Sequence, residues 1–283
     1  MAKMSIRGIS LNVKVMGKGY PLVLMHGGPG ADLYTLMSFR HCADQFTLIY
    51  YDHRCNGRSE GAEVTSMTME NLTADADALR HALGFEKWAV LGHSFGGYVA
   101  MEYALRYPQN LSRLVLVDTG AENSWAQEKA PQELAKRGFK PEIVDLTRRY
   151  FNGQIEPKEM FPSLMKLSNA YNPYTNLLQL PQMLFWGVQT KLQPETFVYS
   201  ESHFLKGWTV LDRLGEINVP TLVMAGREDF IYPPEHQEEL AAAIPNARLV
   251  IIDRAGHNPH DEQPAKTITA VREFLSDLNP GNA

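Results

Sequence analysis

The segment that most constrains the fold is Gly92-His93-Ser94-Phe95-Gly96, in which a serine lies between two glycines directly after an apolar run. That run, residues 88–91, predicts a buried strand, and residues 98–107 predict a helix. The glycines permit a sharp strand-to-helix turn, because the two elements pack closely only where side chains are absent. Such a turn projects the Ser94 hydroxyl outward and puts the Phe95 amide at a helix N-terminus, where it can stabilise an oxyanion.

A G-x-S-x-G pattern also occurs by chance in glycine-rich loops, so Ser94 needs partners elsewhere in the chain before it is interpreted as a nucleophile. The strand-like runs supply the places to look. They are short and rich in aliphatic or aromatic residues, and they lie at residues 22–25, 46–51, 88–91, 114–117, 221–225 and 248–252. Helical patterns lie between or after them, at residues 68–83, 234–244 and 264–278. This alternation predicts an α/β fold with a mostly parallel central sheet and helices on both faces, and residues 4–16 predict an antiparallel edge hairpin.

Size and charge exclude several classes of protein. The 283 residues, 44% of them hydrophobic, suffice for one large α/β domain or for a domain that carries an insertion. A net charge of −5 provides no basic field for nucleic acid or an anionic membrane. No apolar run reaches the roughly 18 residues of a membrane span, and residues 1–7 lack a signal-peptide core. We therefore expect a cytoplasmic protein in which Cys42 and Cys55 are packed thiols.

Residues 120–210 interrupt the alternation. They contain no β-branched strand run, their prolines recur, and they hold 13 of the 28 aromatic residues. This composition predicts a helical cap inserted between two parts of a core domain, residues 1–119 and 211–283. Four cap aromatics are candidates to bind substrate, although each could equally pack the cap against the sheet: Trp125, Phe151, Trp186 and Phe204.

Two loops follow predicted strands and carry distinctive residues. His26-Gly27-Gly28-Pro29-Gly30 can bring backbone amides close to a ligand, and the Gly28 amide is the predicted second oxyanion donor; the alternative is an ordinary turn. The polar loop of residues 52–59 contains Asp52, Arg54 and Arg58, which we expect to pair locally and hold the loop in place.

A serine hydroxyl becomes a good nucleophile when a histidine takes its proton and an acid orients that histidine. Ser94, Asp229 and His257 occur in the order serine, acid, histidine, each at a strand end, which is the order of the α/β-hydrolase elbow. Asp118, after another strand, is an alternative acid. The rival histidines are predicted to have structural roles, and they are His26, His93 and His260.

The chain resembles α/β-hydrolase fold enzymes from end to end, apart from its own cap. Residues 256–264 match the family pattern G-H-x-P-x-x-E-x-P, and residues 226–229 match G-x-x-D. Residues 26–30 are similar to the loop of the proline iminopeptidase (peptidase S33-like) group. Residues 52–59 match that group's D-Q-R-G-x-G-x-S only in part, and the elbow has the form common in esterases.

These observations predict a serine hydrolase, free of metal and cofactor, that cleaves small carboxylic esters or lactones. The resemblance implies an alternative, release of N-terminal proline from short peptides, in which cap carboxylates such as Glu195 or Glu201 hold the substrate amine. For either glutamate a solvated surface position is the other interpretation. A third hypothesis is a ligand-binding protein with a slow or inactive triad. The sequence leaves the oligomeric state open.

Overall fold

The apolar runs form one eight-stranded sheet in a computed structural model, which describes residues 1–175 and 179–278. The strands are β1 (Ala2–Ile6), β2 (Ile9–Met16), β3 (Tyr20–Met25), β4 (Phe46–Tyr51), β5 (Trp88–His93), β6 (Leu111–Val117), β7 (Thr221–Gly226) and β8 (Ala247–Ile252). Their spatial order is β1-β2-β4-β3-β5-β6-β7-β8. The first two strands are antiparallel to their neighbours, and all later pairings are parallel. The predicted sheet and edge hairpin are confirmed.

Helices cover both faces of the sheet. In chain order they are α1 (Met69–Ala82), α2 (Phe95–Arg106), α3 (Ser124–Lys136), α4 (Pro141–Phe151), α5 (Met160–Tyr171), α6 (Leu180–Gln189), α7 (Pro194–Tyr199), α8 (Pro234–Ala243), α9 (Pro259–Glu262) and α10 (Pro264–Phe274). A run of 3₁₀ turns, Leu33–Asp44, precedes β4. None of the helices in the described ranges combines the length and the apolar character that a bilayer span requires.

The alternation of side chains along the strands divides the interior into two cores. In β3, Val23 joins the core that contains α1 and α2, whereas Leu22 and Leu24 join the core that contains the 3₁₀ run and α10. Because successive residues of a strand point to opposite faces, both sets are buried only when both faces are covered. Cys42, a free thiol, is packed in the second core as expected.

Local signals explain where the helices begin. Thr68 caps α1, since its side-chain oxygen accepts a hydrogen bond from the Asn71 amide at 3.1 Å. Gly84, with φ of +78°, ends that helix as predicted. Helix α2 begins at Phe95, three residues before the predicted start, because the turn of the elbow leads directly into it.

The segment between β6 and β7 is helical. It contains α3 to α7 and a single π-helical turn, Ser200–Phe204. Its two ends meet in an isolated antiparallel bridge between Glu122 and Thr209, and the Val210 amide donates to the Ala121 carbonyl at 2.8 Å. These contacts at the base of the insertion favour the predicted cap boundaries at residues 120 and 210, which stay a prediction.

The polar loop after β4 is held by local pairs, as expected. The Asp52 carboxylate accepts hydrogen bonds from the backbone amides of Leu33 and Arg58, at 2.9 and 2.8 Å. Arg54 forms a buried bidentate pair with Asp75 at 2.6 and 2.8 Å. These charges therefore fix the shape of the loop at the carboxyl edge of the sheet.

Candidate active site

Ser94 lies at the junction of β5 and α2 in an uncommon backbone conformation, with φ of 53° and ψ of −124°. A residue with a side chain stays in such a conformation only when its surroundings determine it. Two hydrogen bonds do so here. The Ser94 amide donates to the Val117 carbonyl at 3.0 Å, and the Thr119 hydroxyl donates to the Ser94 carbonyl at 2.7 Å.

The glycines on either side of Ser94 are required by close packing. A Cβ atom on Gly96 would lie 2.0 Å from the Met25 carbonyl oxygen, and one on Gly92 would lie 2.3 Å from the Gly96 carbonyl oxygen. Both distances are far below van der Waals contact. Strand β3, strand β5 and helix α2 therefore meet here without intervening side chains, as the sequence predicts.

His257 and Asp229 form a buried pair at the same edge of the sheet. The His257 Nδ1 atom lies 2.9 Å from Asp229 Oδ2, and the other Asp229 oxygen accepts the Ile231 amide at 2.8 Å. Burial alone would raise the pKa of Asp229, but the charge and hydrogen bond of His257, with the Ile231 amide, hold that pKa below its ordinary value. An ionised Asp229 accepts the Nδ1 proton, and this leaves the imidazole lone pair on Nε2.

Further contacts fix the loop that carries His257. Its amide donates to the Tyr171 carbonyl at 3.0 Å, and its carbonyl accepts from His93 Nε2 at 2.9 Å. The Glu262 carboxylate accepts from the amides of Gly256 and Tyr174. The end of helix α5 in the cap is therefore joined to the histidine loop of the core.

The rival histidines have structural partners. His26 Nδ1 lies 3.0 Å from the Gly27 carbonyl, and its Nε2 accepts the His53 amide at 3.1 Å. His260 Nε2 lies 3.0 Å from the Thr35 carbonyl. Burial lowers the pKa of His26, His93 and His260, and so favours the neutral imidazole at each position.

Asp118, the alternative acid, is also buried at this edge. An oxygen of Asp118, an oxygen of Asp229 and a ring nitrogen of His257 lie within 4.8 Å of one another, close enough to share a metal ion. His257 and Asp229 already hydrogen-bond each other, however. Burial, and then the charge of Asp229, raise the pKa of Asp118 well above its ordinary value, which favours the neutral acid there, and no metal role is assigned.

Ser94 and His257 both line a cavity of about 430 Å³. The predicted oxyanion residues, Gly28 and Phe95, line the same cavity. A Cβ on Gly27 would lie 3.1 Å from the Ser94 Cβ, so the glycine loop lies directly against the serine. Most of the remaining wall is apolar or aromatic and includes Tyr98, Ala126, Tyr150, Phe151, Met160, Phe161, Leu164, Tyr171, Leu192, Phe197, Leu205, Ile231 and Tyr232.

Of the four cap aromatics predicted to bind substrate, only Phe151 is among the residues that line this cavity in the described part of the chain. The other three are not among those lining residues, and a role for them in substrate binding stays a prediction. Trp125 packs on His236 with ring centroids 4.2 Å apart, and it lines a separate cavity. Trp186 stacks on Tyr34, and Phe204 contacts the ring of Phe95. These three rings join the cap to the core, the alternative that the sequence left open.

Glu201 lies in the cavity wall and not at the surface, which corrects the solvated-position interpretation. It is only 5% exposed, and its Oε2 accepts a hydrogen bond from Asn123 Nδ2 at 3.3 Å. Burial raises its pKa to about 8, although the Asn123 hydrogen bond partly opposes the rise. Glu195, the other cap candidate, is exposed at the start of α7. Sequence pattern alone gave no signal that separates these two glutamates.

The raised pKa of Glu201 predicts a pH-dependent stability. Its pKa is 4.5 in the unfolded chain and about 8 in the folded protein. Between these values the unfolded state binds fewer protons, so the free energy of unfolding falls as pH rises. In Glu201→Gln we expect the decrease in the free energy of unfolding between pH 5 and pH 8 to be smaller by roughly 2–5 kcal/mol. Urea unfolding of both proteins at pH 5 and pH 8 measures it, and equal losses in the two proteins would contradict the assignment.

Comparisons with known proteins agree with this architecture. Residues 20–264 match the model of the alpha/beta hydrolase fold family. A proline iminopeptidase of Xylella fastidiosa is 30% identical over 271 residues, which cover 87% of this chain and 85% of that protein. A putative carbamate hydrolase, RutD, of Agrobacterium fabrum is 28% identical over 256 residues, which cover 90% of this chain and 93% of that protein.

Solved structures give the same fold. A thermophilic esterase from Thermogutta terrifontis superposes with a TM-score of 0.73 at 28% identity, over 98% of both chains. The proline iminopeptidase of Mycobacterium smegmatis superposes over 100% of both chains with a TM-score of 0.78, at 23% identity. The chain therefore belongs to the α/β hydrolase fold family of hydrolases, and within that family it is similar to the proline iminopeptidase group.

Proposed function

We propose that this protein is a serine hydrolase in which Ser94, His257 and Asp229 form the catalytic triad. The observation that carries the proposal is the common cavity: it is lined by Ser94, on its strained turn, and by His257, which is hydrogen-bonded to the buried Asp229. A nucleophile, a base and an orienting acid at one pocket are the parts that acyl transfer requires.

The chemistry follows from the tautomer that Asp229 imposes. His257 Nε2 takes the Ser94 proton as Oγ attacks the carbonyl carbon, and the amides of Gly28 and Phe95 hold the negative oxygen. The imidazolium then protonates the leaving alcohol or amine, and the acyl group remains on Ser94. A water molecule then attacks the acyl carbon and gives one proton to His257. His257 passes that proton to Ser94 Oγ, which releases the carboxylic acid and restores the free serine.

The preferred substrates in this proposal are carboxylic esters or lactones with an apolar acyl part. The cavity wall is mostly aromatic and aliphatic, and apolar burial provides most of the binding energy in such a pocket. A structural relative described as an esterase favours the same choice. We expect p-nitrophenyl butyrate to be hydrolysed faster than the acetate, and either faster than proline β-naphthylamide. A strong preference for the proline amide would reverse this order.

Glu201 favours a second candidate, an aminopeptidase that releases N-terminal proline. A buried carboxyl in an apolar wall, with an amide as its hydrogen-bond donor and no cation acting on it among the described residues, suits a substrate ammonium group. The 30% identical relative is described as a proline iminopeptidase. The two candidates use the same triad and differ only in what Glu201 recognises.

The variant Glu201→Gln separates these candidates. If the substrate carries an ammonium group there, loss of the charged partner lowers kcat/KM for proline β-naphthylamide by about 100-fold or more relative to its effect on p-nitrophenyl butyrate. For an esterase we expect the ratio of the two rates to change less than about fivefold. Glu195→Gln, on the exposed start of α7, is the matched control.

A ligand-binding protein without turnover is the third possibility. The arrangement of the three residues argues against it, since Ser94 and His257 line one cavity and His257 is hydrogen-bonded to Asp229. A fluorophosphonate probe distinguishes the cases, because it reacts with an activated serine and leaves an inert one unmodified.

A further inference from the structure

Asp118 occupies a position that the proposed triad does not explain. It directly follows β6 with φ of +44°, in the left-handed region that side-chain-bearing residues seldom adopt. It is fully buried, its amide donates to the Met224 carbonyl at 2.9 Å, and its Oδ1 accepts the Gly226 amide at 2.8 Å. Strand β7 thus holds both the backbone and one carboxyl oxygen in place, and the second oxygen has a fixed direction.

That second oxygen, Oδ2, is buried and has no hydrogen-bond donor within reach among residues 1–175 and 179–278. The ionisable groups that act on Asp118 are acidic or already hydrogen-bonded. An Asp229 oxygen and a His257 nitrogen lie within the 4.8 Å cluster, and the negative charge of Glu262 on α9 also acts on Asp118. One imidazole thus faces two carboxyl groups, and it is hydrogen-bonded to Asp229.

Two carboxyl groups buried beside one imidazole cannot both ionise at moderate cost. Burial first, and then the charge of Asp229, raise the pKa of Asp118 well above its ordinary value. The pKa of Asp229 is held low by His257 and the Ile231 amide despite burial. The proton of the pair therefore belongs on Asp118, where Oδ2 becomes an O–H donor and the acceptor available to it is Asp229.

We propose that Asp118 is a positioning residue: a neutral carboxylic acid whose hydroxyl donates a hydrogen bond to Asp229 and so fixes the orientation and charge of the acid that holds His257. This inference rests on the proposed triad. It adds a fourth side chain, from a different strand, to the site. Asp229 then accepts three donors, from His257, Ile231 and Asp118, which is the full set that holds a buried carboxylate ionised and unable to rotate.

Two variants test the role of the hydroxyl. Asp118→Asn keeps a donor toward Asp229 and an acceptor for the Gly226 amide, and asparagine tolerates positive φ. Asp118→Gly removes the donor, and glycine adopts this backbone angle without strain. Hydrogen bonds to charged groups are strong, so we expect the glycine variant to lose about 10- to 100-fold in kcat, with KM changed less than about twofold. The asparagine variant recovers most of that loss.

The pH profile distinguishes positioning from a merely structural role. Without the donor, Asp229 becomes a stronger base and holds the proton of His257 more tightly, so the acid limb of kcat/KM for p-nitrophenyl butyrate moves to higher pH in Asp118→Gly. In Asp118→Asn the acid limb stays at the pH of the wild-type protein. A loss in the asparagine variant as large as in the glycine variant, or an acid limb unmoved in both, would overturn the proposal. Thermal melts check that each variant is folded.

Infrared spectroscopy tests the protonation state without relying on turnover. In a Glu201→Gln background, which removes a second buried carboxyl that is neutral at pH 7, we expect a neutral-carboxyl C=O band at pH 7 that is lost on adding Asp118→Asn. Absence of that loss would show Asp118 to be ionised and would end the proposal. If Ser94→Ala retained full activity, the proposed triad would fail instead, and the infrared band would still report on Asp118.

Discussion

Ser94→Ala is expected to lower kcat for p-nitrophenyl butyrate by about 10⁴- to 10⁶-fold, the range found when the nucleophile of a working triad is removed. The fold should persist, because alanine and serine tolerate the φ of 53° at this turn equally and residue 94 makes both hydrogen bonds that hold the turn with its own backbone atoms. Steady-state kinetics and a thermal melt measure both quantities. Retention of more than about a tenth of the activity would mean that Ser94 is not the nucleophile.

A second serine provides the control for that experiment. Ser276 is exposed near the end of the described chain, and its hydroxyl donates to the Glu273 carbonyl within a 3₁₀ turn. We expect Ser276→Ala to leave kcat and KM unchanged. A loss of activity in both variants would indicate that handling or folding, and not removal of the nucleophile, caused the effect.

Asp229→Asn is expected to lower kcat by about 10⁴-fold, because the substitution keeps the shape of the site and reverses the hydrogen bond to His257. The carboxylate accepts the Nδ1 proton, whereas an asparagine amide can donate to Nδ1 and so move the ring proton to Nε2. An imidazole protonated on Nε2 cannot accept the Ser94 proton. The measurement is kcat/KM for p-nitrophenyl butyrate as a function of pH.

Comparing Asp118→Asn with Asp229→Asn tests which of the two acids orients His257. The same change of aspartate to asparagine is expected to cost little at position 118, where the side chain is a donor, and a great deal at position 229, where it is an acceptor. If instead the loss occurred in Asp118→Asn and Asp229→Asn remained active, Asp118 would be the orienting acid. The assignments of the two residues would then be exchanged.

The sheet could be predicted from the sequence because its strands carry local signals. The run at residues 221–225, for example, is aliphatic and bounded by turn residues, and it becomes a strand buried on both faces. The sequence predicts the start of α2 three residues late, because Phe95, Gly96 and Gly97 taken alone are typical of a loop. Close packing against β3 and the hydrogen bonds of the turn, both tertiary effects, make them helical.

The site could be predicted only where a motif identified the residue. Ser94, Asp229 and His257 follow strands at one edge of a parallel sheet, so topology alone brings them near one another. The cap carries no such pattern, and the orientation of Trp125 or Phe204 depends on how its helices pack. Burial of Glu201 and the carboxyl pair of Asp118 with Asp229 also depend on contacts between segments about 80 to 110 residues apart.

Identification of the residue labelled by a fluorophosphonate probe tests the central claim most directly. The account predicts one covalent adduct per chain on Ser94, located by mass spectrometry of the peptide that contains it, at a rate that falls sharply in His257→Ala. An adduct on another residue, or hydrolysis of p-nitrophenyl butyrate by a protein that the probe leaves unmodified, would contradict it.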